Sequence, residues 1–153
     1  MTEAWRTALG QLEALLDGCE WEISCLANAS ALLNETMDGL NWAGFYLLRG
    51  DALYLGPFQG KTACIRIPMG KGVCGTSALR DETLVVPDVH RFPGHIACDS
   101  ASRSEIVVPL HDASGAVRGV MDIDSPVPDR FSPGDREGLE AFARLLEDRL
   151  NRL

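Results

Sequence analysis

Two stretches of alternating polar and apolar residues near the end of the chain constrain its fold most strongly. Residues Ser104–His111 and Val117–Ser125 flank the turn sequence Asp112-Ala113-Ser114-Gly115, and such alternation on both sides of a turn predicts a β-hairpin. One face of the hairpin collects the apolar side chains of Ile106, Val108, Leu110, Met121 and Ile123. We expect that face to point into a hydrophobic core.

The opposite face of the same hairpin carries three acids. A turn symmetric about Ala113 and Ser114 places Glu105 directly opposite Asp122, with Asp124 on the same face. Mutual repulsion then raises at least one carboxyl pKa, and a carboxyl that stays protonated near neutrality is a proton donor. Alternatively, the acids bind a cation, or a β-bulge changes the register and spreads them into water. Calcium would need more oxygen ligands.

The other segments predict the remaining elements. Apolar residues recur at three- and four-residue intervals over 4–16, 21–33 and 139–153, which predicts helices, and Ser132-Pro133-Gly134-Asp135 is a helix start. A hairpin over 41–48 and 52–55, short strands at 65–68 and 83–86, a helix at 73–80 and loops at 56–61 and 87–99 complete the chain. We predict an α+β fold, with a central antiparallel sheet and N-terminal and C-terminal helices packed on it, as one domain over residues 1–153.

Charge and hydropathy exclude several function classes. The chain has 14 basic and 22 acidic residues, a net charge of −8, and no basic run, so a nucleic-acid or membrane-surface partner is disfavoured. No apolar stretch approaches the roughly 20 residues of a membrane span, and the first residues lack signal-peptide character. We therefore expect a cytoplasmic protein.

The cysteines are odd in number and stand at positions 19, 25, 64, 74 and 98. In a reducing compartment such thiols are buried, catalytic, metal-bound or redox-active. Cys25 lies on the apolar stripe of its predicted helix, and we interpret Cys19 and Cys25 as structural. Cys98 lies in a loop with Pro93 and Gly94, three residues after His95, which favours a chemical role.

Two further cysteines lie where loops return to regular structure. Cys64 precedes a short strand, and Cys74 falls in the first turn of the predicted helix 73–80, where main-chain amides could give it thiolate character. The glycines at 70, 72 and 75 fit a dinucleotide-binding pattern, but the surrounding hairpins do not supply the parallel βαβ unit which that pattern needs. We interpret these glycines as a tight turn into the helix.

Aromatic residues define a possible binding wall. Alternation places Trp42 and Tyr46 on one face of a strand with Gly44 between them, which leaves a notch bounded by two rings. Ordinary core packing is the alternative. The neighbouring Arg49-Gly50-Asp51 is interpreted as a hairpin turn.

Together these groups suit one redox reaction. A thiolate can attack a sulfoxide sulfur if an acid protonates the oxygen, and a second thiol then condenses the sulfenic acid into a disulfide. A hydrolase using Cys98 with His95 as base is a weaker alternative, since the acids would repel an oxyanion. Zinc on His90, His95 and Cys98 is another, although the pair spacing of structural zinc sites is absent.

Several motifs resemble one family. They are Asn41-Trp42-Ala43-Gly44-Phe45-Tyr46, Gly56-Pro57-Phe58-Gln59-Gly60-Lys61 with Ala63-Cys64-Ile65, Gly70 to Gly75, Asp88-Val89-His90 with Phe92 to Asp99, Ser104-Glu105-Ile106-Val107-Val108-Pro109 and Asp122-Ile123-Asp124-Ser125-Pro126. From about residue 20 to the last helix, the chain resembles the free methionine-(R)-sulfoxide reductases, which have the GAF fold.

The resemblance implies roles for individual residues. Cys98 matches the nucleophile, Cys64 the thiol that resolves its sulfenic acid as a disulfide, and Cys74 a third active-site cysteine. The acids that hold and protonate the sulfoxide oxygen are Glu105, Asp122 and Asp124, and the aromatic pocket for the methyl end of the substrate is Trp42 and Tyr46. The family implies thioredoxin as reductant and often a homodimer, with no cofactor or metal.

Two expectations go beyond these matches. We expect the main-chain amides of Ile96, Ala97 and Cys98 to form a nest for the substrate carboxylate, because this loop holds no cation beyond Arg91. The rival function is a GAF sensor that binds a small ligand without turnover.

Overall fold

A computed structural model describes residues 1–95 and 100–153. The helices are α1 (Glu3–Leu16), α2 (Glu22–Thr36), α3 (Gly72–Arg80) and α4 (Pro133–Leu150), with a 3-10 turn at Val89–Arg91. The strands are β1 (Trp42–Arg49), β2 (Ala52–Gly60), β3 (Arg66–Pro68), β4 (Leu84–Val86), β5 (Ser104–His111) and β6 (Val117–Ser125). Within the described residues, no helix is long and apolar enough to cross a bilayer.

The strands form one six-stranded sheet in the order β3-β2-β1-β6-β5-β4. Every strand pair formed by the described residues is antiparallel. The predicted α+β fold with a central antiparallel sheet is thus confirmed. The short strand before α3 is antiparallel to β2, so the glycines that begin α3 lie outside any parallel βαβ unit, as the surrounding hairpins indicated.

Three helices cover one face of the sheet. Helix α2 contacts β1 and β2, α4 contacts β5, and α1 packs against both α2 and α4. The hairpin residues predicted to be apolar on this side, Ile106, Val108, Leu110, Met121 and Ile123, are all at most 1% exposed. The start of α4 was predicted correctly: Ser132 Oγ accepts from the Asp135 amide at 3.1 Å, and Asp135 Oδ2 accepts from the Ser132 amide at 3.1 Å. This reciprocal pair satisfies two amides that a helix start leaves without partners.

The predicted pairing of Glu105 with Asp122 is wrong by two residues. In the structure Glu105 lies opposite Asp124, and Asp122 lies opposite Val107. The turn also includes Ala116, whose carbonyl accepts from the Asp112 amide, and the register shifts again next to His111. Because side chains alternate with a period of two, a slip of two residues changes the partners but keeps all three acids on one face.

Strand β2 is longer than predicted, and the loop expected at 56–61 is wrong. The strand continues to Gly60 along β1, with an irregularity that places Gly56 and Pro57 together opposite Phe45. The expected notch at Gly44 is also wrong, because β2 fills it: a Cβ atom on Gly44 would lie 2.3 Å from Cβ of Phe58. Glycine is therefore required at 44 for β2 to approach.

Candidate functional site

A pocket opens on the sheet face opposite the three covering helices, beneath α3. Its walls and open mouth together bound about 510 Å³ of space, part of which is solvent. Its described lining is Trp42, Tyr46, Ala63, Ile67, Lys71, Gly72, Val73, Cys74, His95, Ser102, Glu105, Asp122 and Asp124. Six residues predicted from the sequence to form the site therefore meet in one cavity: Trp42, Tyr46, Cys74, Glu105, Asp122 and Asp124.

The acids at the base of this pocket are buried. Glu105, Asp122 and Asp124 are 7%, 5% and 9% exposed, which is unusual for carboxyl groups. Adjacent strands hold them, because Asp124 is paired with Glu105 across β5 and β6 and also with Trp42 of β1. Ligand atoms of Cys74, Glu105 and Asp122 all lie within 4.8 Å of one another. The sheet therefore concentrates acidic groups where water is scarce.

Burial changes the protonation of these acids. Removal from water, followed by the nearby charges of Asp122 and Asp124, raises the pKa of Glu105 well above its usual range. Burial also raises the pKa of Asp122, while hydrogen bonds with Glu105 and Cys74 act in the opposite direction. Oδ1 of Asp122 is buried with no hydrogen-bond partner among the described residues. A proton held on Glu105 relieves the repulsion between the neighbouring carboxyl groups, as the predicted role of a proton donor requires.

The thiol of Cys74 does not have the predicted thiolate character. It lies in the first turn of α3, as expected, but burial and the charges of Asp122 and Glu105 raise its pKa well above that of an ordinary thiol. These effects outweigh the helix start, which stabilises an anion only modestly. Its Sγ lies 3.9 Å from Oε2 of Glu105, as a neutral donor to the acid cluster.

An aromatic wall closes one side of the pocket. The rings of Trp42 and Tyr46 stack with centroids 5.8 Å apart, and Phe58 stacks on Trp42 at 5.0 Å. The Trp42 indole donates to the carbonyl of Lys61 at 3.2 Å, and the Tyr46 hydroxyl donates to that of Cys64 at 3.0 Å. Burial, and then the neighbouring acids, raise the Tyr46 pKa, so this hydroxyl stays neutral. Both aromatic side chains are held rigidly with their polar atoms satisfied.

The predicted cysteines differ in what the structure describes. Cys64 follows the pocket residue Ala63 and is disulfide-bonded, whereas Cys19, Cys25 and Cys74 are free thiols. Cys98 and the neighbouring predicted substrate-binding residues Ile96 and Ala97 lie outside the described residues. Their roles stay predictions.

Three polar pocket residues had no assigned role in the predicted reductase site. Lys71 precedes α3, Ser102 accepts from Asn41 Nδ2 at 3.0 Å, and His95 closes the described part of the loop. Burial and the charge of His90 lower the His95 pKa, although Asp122 opposes this, so the imidazole is neutral near pH 7. Phe58 was missed as a support of the wall because Gly56-Pro57 interrupts the strand pattern and predicts a loop.

Among the described residues, one group of pocket side chains has ligand atoms close enough together to hold a metal ion. That group is Cys74, Glu105 and Asp122, whose mixed sulfur and oxygen donors suit a borderline cation such as zinc rather than calcium. The zinc alternative raised from the sequence involves His90 and His95, whose rings lie edge to face with centroids 6.4 Å apart. Its third ligand, Cys98, is outside the described residues.

The chain matches known proteins over most of its length. Residues 11–150 match the family model described as GAF domain. The chain is similar to the free methionine-R-sulfoxide reductase of Escherichia coli, with 51% identity over 95% of this chain and 88% of that protein. It is 48% identical to the enzyme of that name from Saccharomyces cerevisiae, over 88% of this chain and 78% of the relative.

A solved structure agrees with these sequence relatives. The free methionine-R-sulfoxide reductase from Neisseria meningitidis, solved in complex with its substrate, superposes with a TM-score of 0.93 at 43% identity, over 99% of this chain and 93% of that one. The superposed region covers nearly the whole chain and therefore includes the sheet that builds the pocket. The chain therefore belongs to the free methionine-R-sulfoxide reductase family of GAF-domain proteins.

Proposed function

We propose that this protein reduces free methionine (R)-sulfoxide to methionine. The observation that carries the proposal is the buried acid cluster: the raised pKa of Glu105 favours its protonated form beside Asp122 and Asp124 at the base of the pocket. A sulfoxide oxygen is a hydrogen-bond acceptor that gains basicity as its sulfur is attacked, so a neutral carboxyl at that point stabilises the transition state. The relatives named as reductases support the same activity.

The first chemical step uses Cys98 as nucleophile. Its thiolate attacks the sulfoxide sulfur and Glu105 donates a proton to the oxygen. The hydroxyl then passes to Cys98 Sγ as the S–O bond of the substrate and the transient bond between the two sulfurs break. Methionine leaves with its sulfur reduced by two electrons, and Cys98 is oxidised to a sulfenic acid. Cys74, a neutral thiol 3.9 Å from Glu105, helps to hold the acids rather than to attack the substrate.

The second step uses Cys64. Its thiol displaces the hydroxyl of the sulfenic acid as water and forms a disulfide with Cys98, which the dithiol of thioredoxin then reduces. The disulfide-bonded state of Cys64, beside three free cysteines elsewhere, supports its assignment as the resolving thiol. Its carbonyl accepts from Tyr46, so the backbone that carries this thiol is tied to the wall of the pocket.

Substrate binding follows the polarity of the pocket. The methyl end packs against Trp42 and Tyr46, and the oxygen faces the acid cluster. The carboxylate binds the main-chain amides of 96–98, as expected from the sequence, and the competing partner is Lys71 on the pocket lining.

The variant Lys71→Gln distinguishes these two partners. If the main-chain amides bind the carboxylate, KM should stay within about twofold of the parent value. A KM raised tenfold or more (about 1.4 kcal/mol) would instead assign carboxylate binding to Lys71.

Stereospecific substrate consumption tests the activity most directly. The fully reduced protein is offered R and S methionine sulfoxides, free and within a peptide, and free thiols are counted before and after. We expect only the free R form to be consumed, with loss of two thiols per chain. Binding without thiol loss would favour the GAF sensor instead.

Serine variants separate the two thiols. Cys98→Ser abolishes methionine formation, whereas Cys64→Ser releases one methionine per chain and then stalls with thioredoxin present, because the sulfenic acid is no longer resolved. Rapid quenching with methionine quantification measures both. Equal steady rates for Cys64→Ser and the parent protein would exclude Cys64 as the resolving thiol.

Two statements on assembly and location belong to the same proposal. We expect a homodimer, which sedimentation velocity at several concentrations tests. We expect the protein to work in the cytoplasm, where thioredoxin maintains reduced thiols. Fractionation of cells that produce the protein checks the location.

A further inference from the structure

Cys19 and Cys25 lie far from the chemistry proposed above, on the helix-covered side of the sheet. Cys25 is 1% exposed within the core cluster that includes Phe45 and Ile106, and half-buried Cys19 packs against that cluster from the loop between α1 and α2. Both are free thiols. The sheet separates them from the pocket, so the proposed reductase chemistry gives them no role.

The local backbone brings the two cysteines close to one carbonyl group. The Cys25 amide donates to the carbonyl of Trp21 at 3.1 Å, and Cys19 Sγ donates to the same oxygen at 3.6 Å. Gly18 precedes Cys19 with φ of +77°, so the loop turns back onto the start of α2. The shared Trp21 carbonyl therefore places the Cys19 sulfur beside the first turn of α2, which carries Cys25, so that side-chain rotation and a loop movement can bring the two sulfurs to disulfide geometry.

The two thiols differ in access and charge. Burial, followed by the hydrogen bond with Cys19, raises the Cys25 pKa to about 12, so Cys25 is a neutral thiol at rest. Cys19 is the partly exposed member, and reactive cysteines are those that reagents can reach. Arg149 of α4 binds the Cys19 carbonyl through Nε at 3.0 Å and Nη2 at 2.5 Å, which holds a cation beside the pair. Arg149 also acts to lower the Cys25 pKa, which assists deprotonation once Cys19 is oxidised.

We propose that Cys19 and Cys25 are a second redox site, which hydroperoxides oxidise to a disulfide. The Cys19 sulfur attacks the peroxide, the O–O bond breaks, and Cys19 becomes a sulfenic acid while water or an alcohol leaves. Cys25 then displaces the sulfenic hydroxyl as water, and the S–S bond forms. The pair loses two electrons in total and the peroxide gains them. The product closes a short loop that joins the α1–α2 connection to the first turns of α2.

Peptide mapping of the intact protein tests this proposal without any variant. The chain contains no Lys or Arg between Arg6 and Arg49, so trypsin leaves both cysteines in one peptide. The reduced protein is treated with hydrogen peroxide or with methionine (R)-sulfoxide, and free thiols are then alkylated. After peroxide we expect this peptide to carry no alkyl group and to be two hydrogens lighter than its reduced form. Cleavage after Glu20 and Glu22 leaves its two halves joined until reductant is added.

The methionine sulfoxide sample is the internal control, because we expect both thiols of that peptide to be alkylated there. A failed reductase assay leaves this result unaffected, since the two reactions use different cysteines. In Cys25→Ala the sulfenic acid at Cys19 should persist and be trapped by dimedone, whereas Cys74→Ala, which changes the buried pocket thiol, should form the same disulfide as the parent. Full alkylation of both cysteines after peroxide, or oxidation of Cys19 to sulfinic acid without the link to Cys25, would overturn the proposal.

Discussion

The two faces of the β5–β6 hairpin are made from neighbouring residues yet have opposite chemistry. On the helix-covered face, Ile106 and Ile123 are paired and fully buried among apolar side chains. On the pocket face, the adjacent Glu105 and Asp124 are paired and nearly as buried, but as carboxyl groups. Burial of apolar groups stabilises the fold, whereas burial of charge costs free energy unless protons are shared. One hairpin therefore supplies both part of the core and the acid cluster of the pocket.

The largest expected effect comes from replacing Glu105, the proposed proton donor on the pocket face. Glu105→Gln keeps the shape of the side chain but cannot release a proton to the substrate, so we expect kcat to fall by about 10² to 10⁴. Steady-state assays with free methionine (R)-sulfoxide measure this. The free energy of unfolding should not decrease, because Gln is neutral without a proton, whereas Glu105 must retain one in the folded state. A kcat within threefold of the parent would remove Glu105 as the donor.

A substitution on the helix-covered face should reduce stability and leave catalysis nearly unchanged. Ile106→Ala leaves a cavity in a core residue that is 0% exposed, and we expect a loss of about 2 to 5 kcal/mol of stability with kcat nearly unchanged. Urea denaturation followed by fluorescence measures the loss. Ile106→Val is the graded control, at about 0.5 to 1.5 kcal/mol. If folded Ile106→Ala lost as much kcat as Glu105→Gln, the core face would also determine catalysis and the two faces would not have separate roles.

The pH dependence of stability should further distinguish the two faces, because the acid cluster lies on the pocket face. The raised pKa of Glu105 means that the folded state retains a proton which the unfolded state releases, so the free energy of unfolding falls as pH rises from the ordinary pKa of about 4.5 towards the raised one. The slope is about 1.4 kcal/mol per pH unit for each retained proton. Activity falls over the upper part of the same range, because the donor loses its proton.

Two variants check the sign of this effect by denaturation at a series of pH values. Glu105→Gln should flatten the decline. Asp112 in the hairpin turn has its pKa lowered by hydrogen bonds from Ser114, so its stabilising effect is present above its ordinary pKa and is lost as pH falls through the lowered one. Asp112→Asn should therefore lower the curve by a constant amount above that ordinary pKa and change its slope only at the acidic end. An unchanged decline in Glu105→Gln would assign the retained proton to another group.

The smallest expected effect is on the aromatic wall. Phe58→Leu removes a ring stacked 5.0 Å from Trp42, and an aromatic pair is worth about 0.5 to 1.5 kcal/mol, so we expect KM to rise about two- to tenfold with kcat nearly constant. Tyr54→Leu, on the same strand but 36% exposed, is the matched control and should leave KM unchanged. Equal effects of the two variants would indicate general weakening of β2 instead of loss of support for Trp42.

Periodicity and helix starts were predictable because they depend on neighbours in the chain. The alternation that separates Ile106 from Glu105 is local, and so is the Ser132 cap of α4. The resemblance to a family then grouped Trp42 and Tyr46 with the acids, and the pocket contains them all. Roles that depend on Cys98 remain predictions to be tested by the serine variants.

The sequence by itself determined which side chains share a face, since a two-residue period survives a slip of register. Only the tertiary structure decided which residues are partners, because an extra turn residue and a bulge place Glu105 against Asp124. Only the tertiary structure made β2 a strand through Gly60, because Gly44 of another strand admits Phe58. It also decided the state of Cys74: the helix start favours a thiolate locally, but burial beside acids from distant strands has the larger effect.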